Sequence, residues 1–157
     1  MKKNAFYLLF IFFFLLLDQI SKTLVALNLN LYESRIVIPG FFNLTYVQNK
    51  GAIFGFFSHM DSFWIYALLT VASLAAFVLV AYYFIKTPSS EIFLKLSLSL
   101  ILAGALGNLT DRVFRGSVID FLDFYVKDWH WPVYNVADSC VTIGAVLLIY
   151  IFFFKKG

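Results

Sequence analysis

Charge is what this chain has least of. Only 13% of its 157 residues are charged, against 62% hydrophobic and 20% aromatic. That is far above the apolar content of a water-soluble domain, and the length allows one domain, residues 1–157. The formal net charge of +3 is small and scattered, so a nucleic-acid partner is not expected. Lysines that anchor helices at an anionic leaflet explain it better. Cysteine is reduced to Cys140, inside an apolar run, which excludes an internal disulfide or a redox pair and leaves a packing residue. His59 and His130 are too few for a histidine-based metal site, and neither HExxH nor GxSxG occurs. Internal repeats, low-complexity tracts and flexible linkers are absent as well.

What remains is hydrocarbon. Four apolar segments predict transmembrane helices over about residues 5–27, 62–85, 92–110 and 137–154. Lys2 and Lys3 ahead of the apolar run Ala5 to Leu17 also suit a signal peptide. No small-x-small cleavage pattern follows, and Asp18 and Lys22 are foreign to such a segment, so a retained helix is the expectation. Four spans put both termini on one side of the membrane. Lys2, Lys3, Lys86, Lys95, Lys155 and Lys156 cap the segments there, which places the termini in the cytoplasm.

Depth carries more information than charge. Asp18 follows Lys3 by fifteen residues, Asp111 follows Lys95 by sixteen, and Asp138 precedes Lys155 by seventeen. At ~1.5 Å per residue these separations are roughly 22 to 26 Å, against a hydrocarbon core about 30 Å thick. Three carboxylates from three helices therefore converge on one level, just beneath the outer surface. Two stretches remain for that face, about residues 28–57 and 113–135. The first has strand-like runs at Arg35–Ile38 and Phe41–Val47, broken by Pro39-Gly40, and is read either as a loop on the membrane or as a small half-immersed sheet over a cleft. The second is read as a polar loop, with Trp129, Trp131 and Tyr134 suited to the water–lipid boundary.

Asp120 and Asp138 flank that loop. A carboxylate at the edge of a hydrocarbon segment costs free energy unless it is paired or used. Two held close tend to share one proton, providing a base for water and an acid for a leaving group. One continuous helix would separate them by about 27 Å, so they meet only if the chain folds back near Pro132. Otherwise they are solvated loop acids, with Asp138 an N-cap. Gly104, Asn108, Asp111 and Arg112 share one face of the third segment at i, i+4, i+7 and i+8. Gly104 permits close backbone approach, and Arg112 could clamp a substrate carbonyl or neutralise Asp111. Asp18 and Lys22, an i, i+4 pair, most simply neutralise each other. Asn49 and Asn135 are amides able to orient a peptide or steer the aspartates. The polar layer thus draws on every segment except the second. An ion-conducting protein also places charge in a membrane, but a polar layer at one end suits a surface-facing site better than a through-path.

Five ordered motifs carry a family resemblance: Asp18-Gln19-x-x-Lys22, Asn49-x-Gly51-Ala52, Gly104-Ala105-Leu106-Gly107-Asn108-x-x-Asp111-Arg112, Val118-x-Asp120-Phe121 and Asn135-x-Ala137-Asp138-Ser139. The set resembles that of the bacterial lipoprotein signal peptidases, the type II signal peptidases. The resemblance implies an all-α membrane protein of four transmembrane helices with a small β-containing subdomain on the periplasmic side. The implied activity is that of an inner-membrane aspartyl endopeptidase that uses no cofactor or metal. It would remove the signal peptide from diacylglyceryl-modified prolipoproteins, cleaving before the lipidated cysteine. Asp120 and Asp138 fall at the catalytic positions of the family. Asn49, Gly51, Asn108, Arg112 and Asn135 fall at substrate-site positions, and Asp18, Lys22, Gly104 and Asp111 at supporting ones. Ile53 stands where a second small residue is expected before the aromatic Phe54. The expected partners are the prolipoprotein and membrane lipids, with the chain active as a monomer.

Overall fold

The computed structural model describes residues 2–50 and 63–154. Gly51, Ala52 and Ile53, and with them the expected role of Gly51 and the packing question at Ile53, lie outside the described residues. The described residues include four helices: α1 (Lys2–Asn28), α2 (Phe63–Lys86), α3 (Ile92–Arg115) and α4 (Val136–Phe154). Each contains a stretch long and apolar enough to cross a membrane: Asn4–Asn28, Tyr66–Lys86, Ile92–Arg115 and Val136–Phe154. The expected all-α membrane class with a small β subdomain is therefore the observed architecture.

Helix α3 is the axis of the bundle and packs against the other three. Its apolar residues Leu98, Leu102 and Ala103 are buried together with Tyr7 and Ile11 of α1 and Phe84 of α2. Against α4 the approach is closer still. A Cβ on Gly104 would lie 2.2 Å from the Ala137 carbonyl oxygen, and one on Gly107 would lie 2.5 Å from Asp18 Oδ2. Only hydrogen fits at these positions, so the glycines set the spacing at which α1, α3 and α4 meet. Gly116, in the left-handed region at φ 74°, ends α3 and turns the chain.

Beyond that turn the chain forms β3 (Val118–Val126), which joins an antiparallel sheet of order β1-β2-β3-β4 with β1 (Ser34–Ile38), β2 (Phe42–Asn49) and the short β4 (Trp129–His130). Sequence reading treated residues 113–135 as a polar loop and ended the third helix near residue 110. The helix instead runs to Arg115, and nine residues of the loop are strand. The alternation was hidden because both faces of β3 carry large apolar side chains, which erases the period-two signal. Ile119 and Phe121 pack on Val25 and Leu29 at the end of α1. The alternate residues Leu122 and Phe124 pair with Leu44 and Phe42 on the opposite face, the face that also bears Asp120. The strands read at Arg35–Ile38 and Phe41–Val47 are present with slightly shifted ends, which selects the sheet over the loop. Trp129 and Trp131 are exposed, whereas Tyr134 stacks on Phe124.

A second polar cluster pins the sheet. Asp123 accepts hydrogen bonds from Thr45 (2.8 Å) and Asn43 (3.3 Å), and His130 Nδ1 lies 2.7 Å from its other oxygen. Burial pulls this carboxyl up, but His130, Thr45 and Asn43 together outweigh it and hold it below its usual range.

Candidate active site

Asp120 projects from β3 and Asp138 from the first turn of α4, and Asn135 links them. Its side-chain amide donates to Asp120 Oδ1 at 2.7 Å, and its backbone N–H approaches Asp138 Oδ2 at 3.3 Å. Its side-chain oxygen Oδ1 in turn accepts the Asp138 N–H at 2.9 Å. Asp138 is thus both a member of the site and the residue that engages the helix start, where the positive end of the helix dipole favours a carboxylate. The fold-back expected near Pro132 is real: Tyr134 bridges to Leu122 of β3, which returns Asn135 to the level of Asp120.

Two more amides complete the arrangement. Asn49 donates to Asp120 Oδ2 at 3.0 Å, and Asn108 donates to Asp138 Oδ1 at 2.7 Å. The oxygen of Asn108 accepts from Asn135 at 3.1 Å and from Lys22 Nζ at 3.0 Å. The environments of the two acids nevertheless differ. Asp120 is 3% exposed, while Asp138 is only half-buried. Burial first, and then the neighbouring charge of Asp138, push the Asp120 carboxyl up to about 7. The amides of Asn49 and Asn135 oppose that rise without cancelling it.

Beneath the acids lies a buried charge cluster. Lys22 Nζ is 2.8 Å from Asp18 and 2.9 Å from Asp111, and all three side chains are almost fully buried. Asp18 also accepts the Ala137 N–H at 2.9 Å, tying α1 to the start of α4. The carboxylates read as one polar layer are therefore joined by contact. The simple pairing of Asp18 with Lys22 is too narrow, because Lys22 serves Asp111 as well.

Arg112 does not neutralise Asp111. Adjacent residues on a helix point in different directions, and Arg112 turns to α2, where it donates to Ser73 Oγ at 3.2 Å. The second helix therefore contributes to the polar layer after all, through Ser73 and through Tyr66, whose hydroxyl donates to the Arg112 carbonyl. The signal available in the sequence was spacing: Tyr66, Thr70 and Ser73 recur at i, i+4 and i+7 and so share one face of α2. Asp111 is instead paired with Arg115, its i+4 neighbour, and Gln19 donates to Asp111 at 3.1 Å. Arg115 went unread, although its helical spacing from Asp111 announces the pair. Gln19 stood in the first motif but had no role until α1 and α3 were seen side by side.

Chains similar to this one are known. Residues 10–154 match the Peptidase_A8 family model, described as signal peptidase (SPase) II. A lipoprotein signal peptidase of Syntrophus aciditrophicus is 45% identical over 135 residues, covering 86% of this chain and 84% of that one. One of Desulforapulum autotrophicum is 46% identical over 141 residues, covering 89% and 86%. A bacterial membrane enzyme solved by the in meso method superimposes with a TM-score of 0.83 at 32% identity, covering 97% of this chain and 95% of that one. Five motifs in order, a four-helix membrane fold and relatives matched over most of their length together mean that this chain belongs to the signal peptidase II family.

Proposed function

We propose that the chain is an aspartic endopeptidase that removes signal peptides from diacylglyceryl-modified prolipoproteins, cutting before the lipidated cysteine, with Asp120 and Asp138 as its catalytic pair. The observation that carries this reading is the inequality of the two acids across one amide. Asp120 is buried and pushed up to about 7, which suits it to act as the acid. Asp138 is half-buried, receives the Asn108 N–H and sits at a helix start. These donors suit it to act as the base.

The chemistry follows from that division. Asp138 takes a proton from water, and the hydroxide oxygen attacks the scissile carbonyl carbon. Asp120 donates its hydrogen bond to the developing oxyanion. Collapse of the tetrahedral intermediate breaks the C–N bond, and the proton gained by Asp138 passes to the departing amine. Asn49 and Asn135 keep Asp120 in place, and Asn108 does the same for Asp138. Arg112, held from α2, is positioned to donate to a substrate backbone carbonyl. The acyl chains of the substrate lie between helices and hold the peptide at the depth of the acids. The same reading places the protein in the bacterial inner membrane with both termini cytoplasmic and the site near the outer leaflet, because Lys86 and Lys95 mark the end of the bundle opposite the acids.

The test is cleavage of a lipidated prolipoprotein by purified protein. Asp120→Asn and Asp138→Asn should each lower the rate by about 10²–10⁴-fold, the usual contribution of an acid–base group. Near-normal activity in either variant would remove that residue from the mechanism.

A further inference from the structure

Among the described residues, Lys22 is the only polar-layer cation whose nitrogen touches both the buried acids and an amide of the candidate dyad. Resting on the dyad reading above, we infer that Lys22 is a positioning residue that sets the orientation of the Asn108 amide and thereby keeps an N–H donor on Asp138.

An asparagine amide is nearly symmetric in shape, and only its partners decide which end faces where. The two partners of the Asn108 oxygen are both obligate donors: the Lys22 ammonium at 3.0 Å and the Asn135 NH2 at 3.1 Å. The opposite end of the amide then has to be NH2, and it meets Asp138 Oδ1 at 2.7 Å. Reversal would aim a carbonyl at a carboxylate and an NH2 at an ammonium. Of the two donors, the ammonium is the one that cannot be matched by a neutral rearrangement, since it has no acceptor capacity. It is also 0% exposed and held from two sides by Asp18 and Asp111. Gly107 is part of the same device, because any larger residue there would displace Asp18. The polarity of Lys22 is thus passed through one amide to the acid that must accept the first proton. A charge-assisted hydrogen bond in a low-dielectric site polarises the next bond in its chain, which strengthens the Asn108 donor.

The test separates this role from a plain structural one. Lys22→Met alone strands two buried carboxylates, so it is made together with Asp18→Asn, which leaves Asp111 with Arg115 and no net change in charge. On lipidated prolipoprotein the pair should lower kcat by about ten- to a hundredfold, the range of one charge-assisted hydrogen bond, with little change in KM. The acid limb of the pH–rate profile should move to higher pH, because the base has lost its donor. In an Asn108→Ala background the same Lys22 and Asp18 changes should have almost no further effect on kcat. Equal losses in both backgrounds, an unmoved pH profile, or failure of the charge-balanced pair to fold would each make Lys22 a structural pin and overturn the assignment. Failure of the dyad reading looks different: cleavage would then survive Asp120→Asn, whatever is done to Lys22.

Discussion

Asp120 and Asp138 carry the same functional group in unlike surroundings, and the difference has measurable consequences at the level of single residues. With Asp120 pushed up to about 7, the mechanism proposed above loses its oxyanion donor as pH rises. The ratio kcat/KM should bend downward near pH 7 and fall about tenfold per pH unit above it. Such a limb reports on both acids, since the charge of Asp138 helps to raise Asp120. The same carboxyl affects stability. Between its ordinary value of 3.8 and about 7 the folded protein holds a proton that the unfolded chain has released. Its contribution is therefore fully present at low pH and is lost as pH rises to 7. Asp120→Asn mimics the protonated form at every pH, so the melting temperature of the variant should exceed that of the wild type more at pH 8 than at pH 5. An equal difference at the two pH values would mean that Asp120 does not titrate between them.

Among the elements, α3 bears the tightest constraint. Gly104→Ala places a methyl group against the backbone oxygen of Ala137 at a distance no relaxed structure tolerates. Helix α4 must then shift, and Asp138 lies one residue beyond that contact. Overpacking of this kind costs roughly 1–3 kcal/mol, so the variant should melt earlier in detergent and lose more activity than its stability loss explains. Normal activity with normal melting would show that the helices are looser than drawn. The glycines, the i, i+4 pair of Asp18 and Lys22 and the ordered motifs were legible because helical spacing translates directly into shared faces. Strand β3 was not: Val118 to Val126 is apolar on both sides and gives no alternation to read. Nor was the Ser73–Arg112 contact, because a hydroxyl in a uniform apolar helix acquires meaning only once the facing helix is known. The pairing of Lys22 with Asp111 was hidden for the same reason, as it joins positions far apart in the chain.

For the whole molecule, the placement of polar groups at one end of an otherwise apolar bundle predicts a strong dependence on lipid. An unlipidated precursor should be cleaved far more slowly than the same peptide carrying diacylglycerol, since each buried CH₂ contributes about 0.8 kcal/mol to partitioning. Comparable rates for the two would detach the site from the membrane depth assigned to it. Reporter fusions should place the amino- and carboxy-termini in the cytoplasm and Lys127 of the β3–β4 turn outside. A fusion at Lys127 that reports cytoplasm would invert the topology.

The charge cluster also bears on how the chain enters the bilayer. Asp18 and Lys22 sit one turn apart on α1, and Asp111 and Arg115 sit one turn apart on α3. Each helix therefore carries its acid and its base as an internally compensated couple and can leave the translocon without waiting for a neighbour. Once both are in place, Lys22 reaches across to Asp111, and two self-sufficient couples become one shared network. Separating the members of either couple should impair insertion of that helix alone, before any site exists. On the reading proposed above, the charges that ease insertion are also those that later support the site.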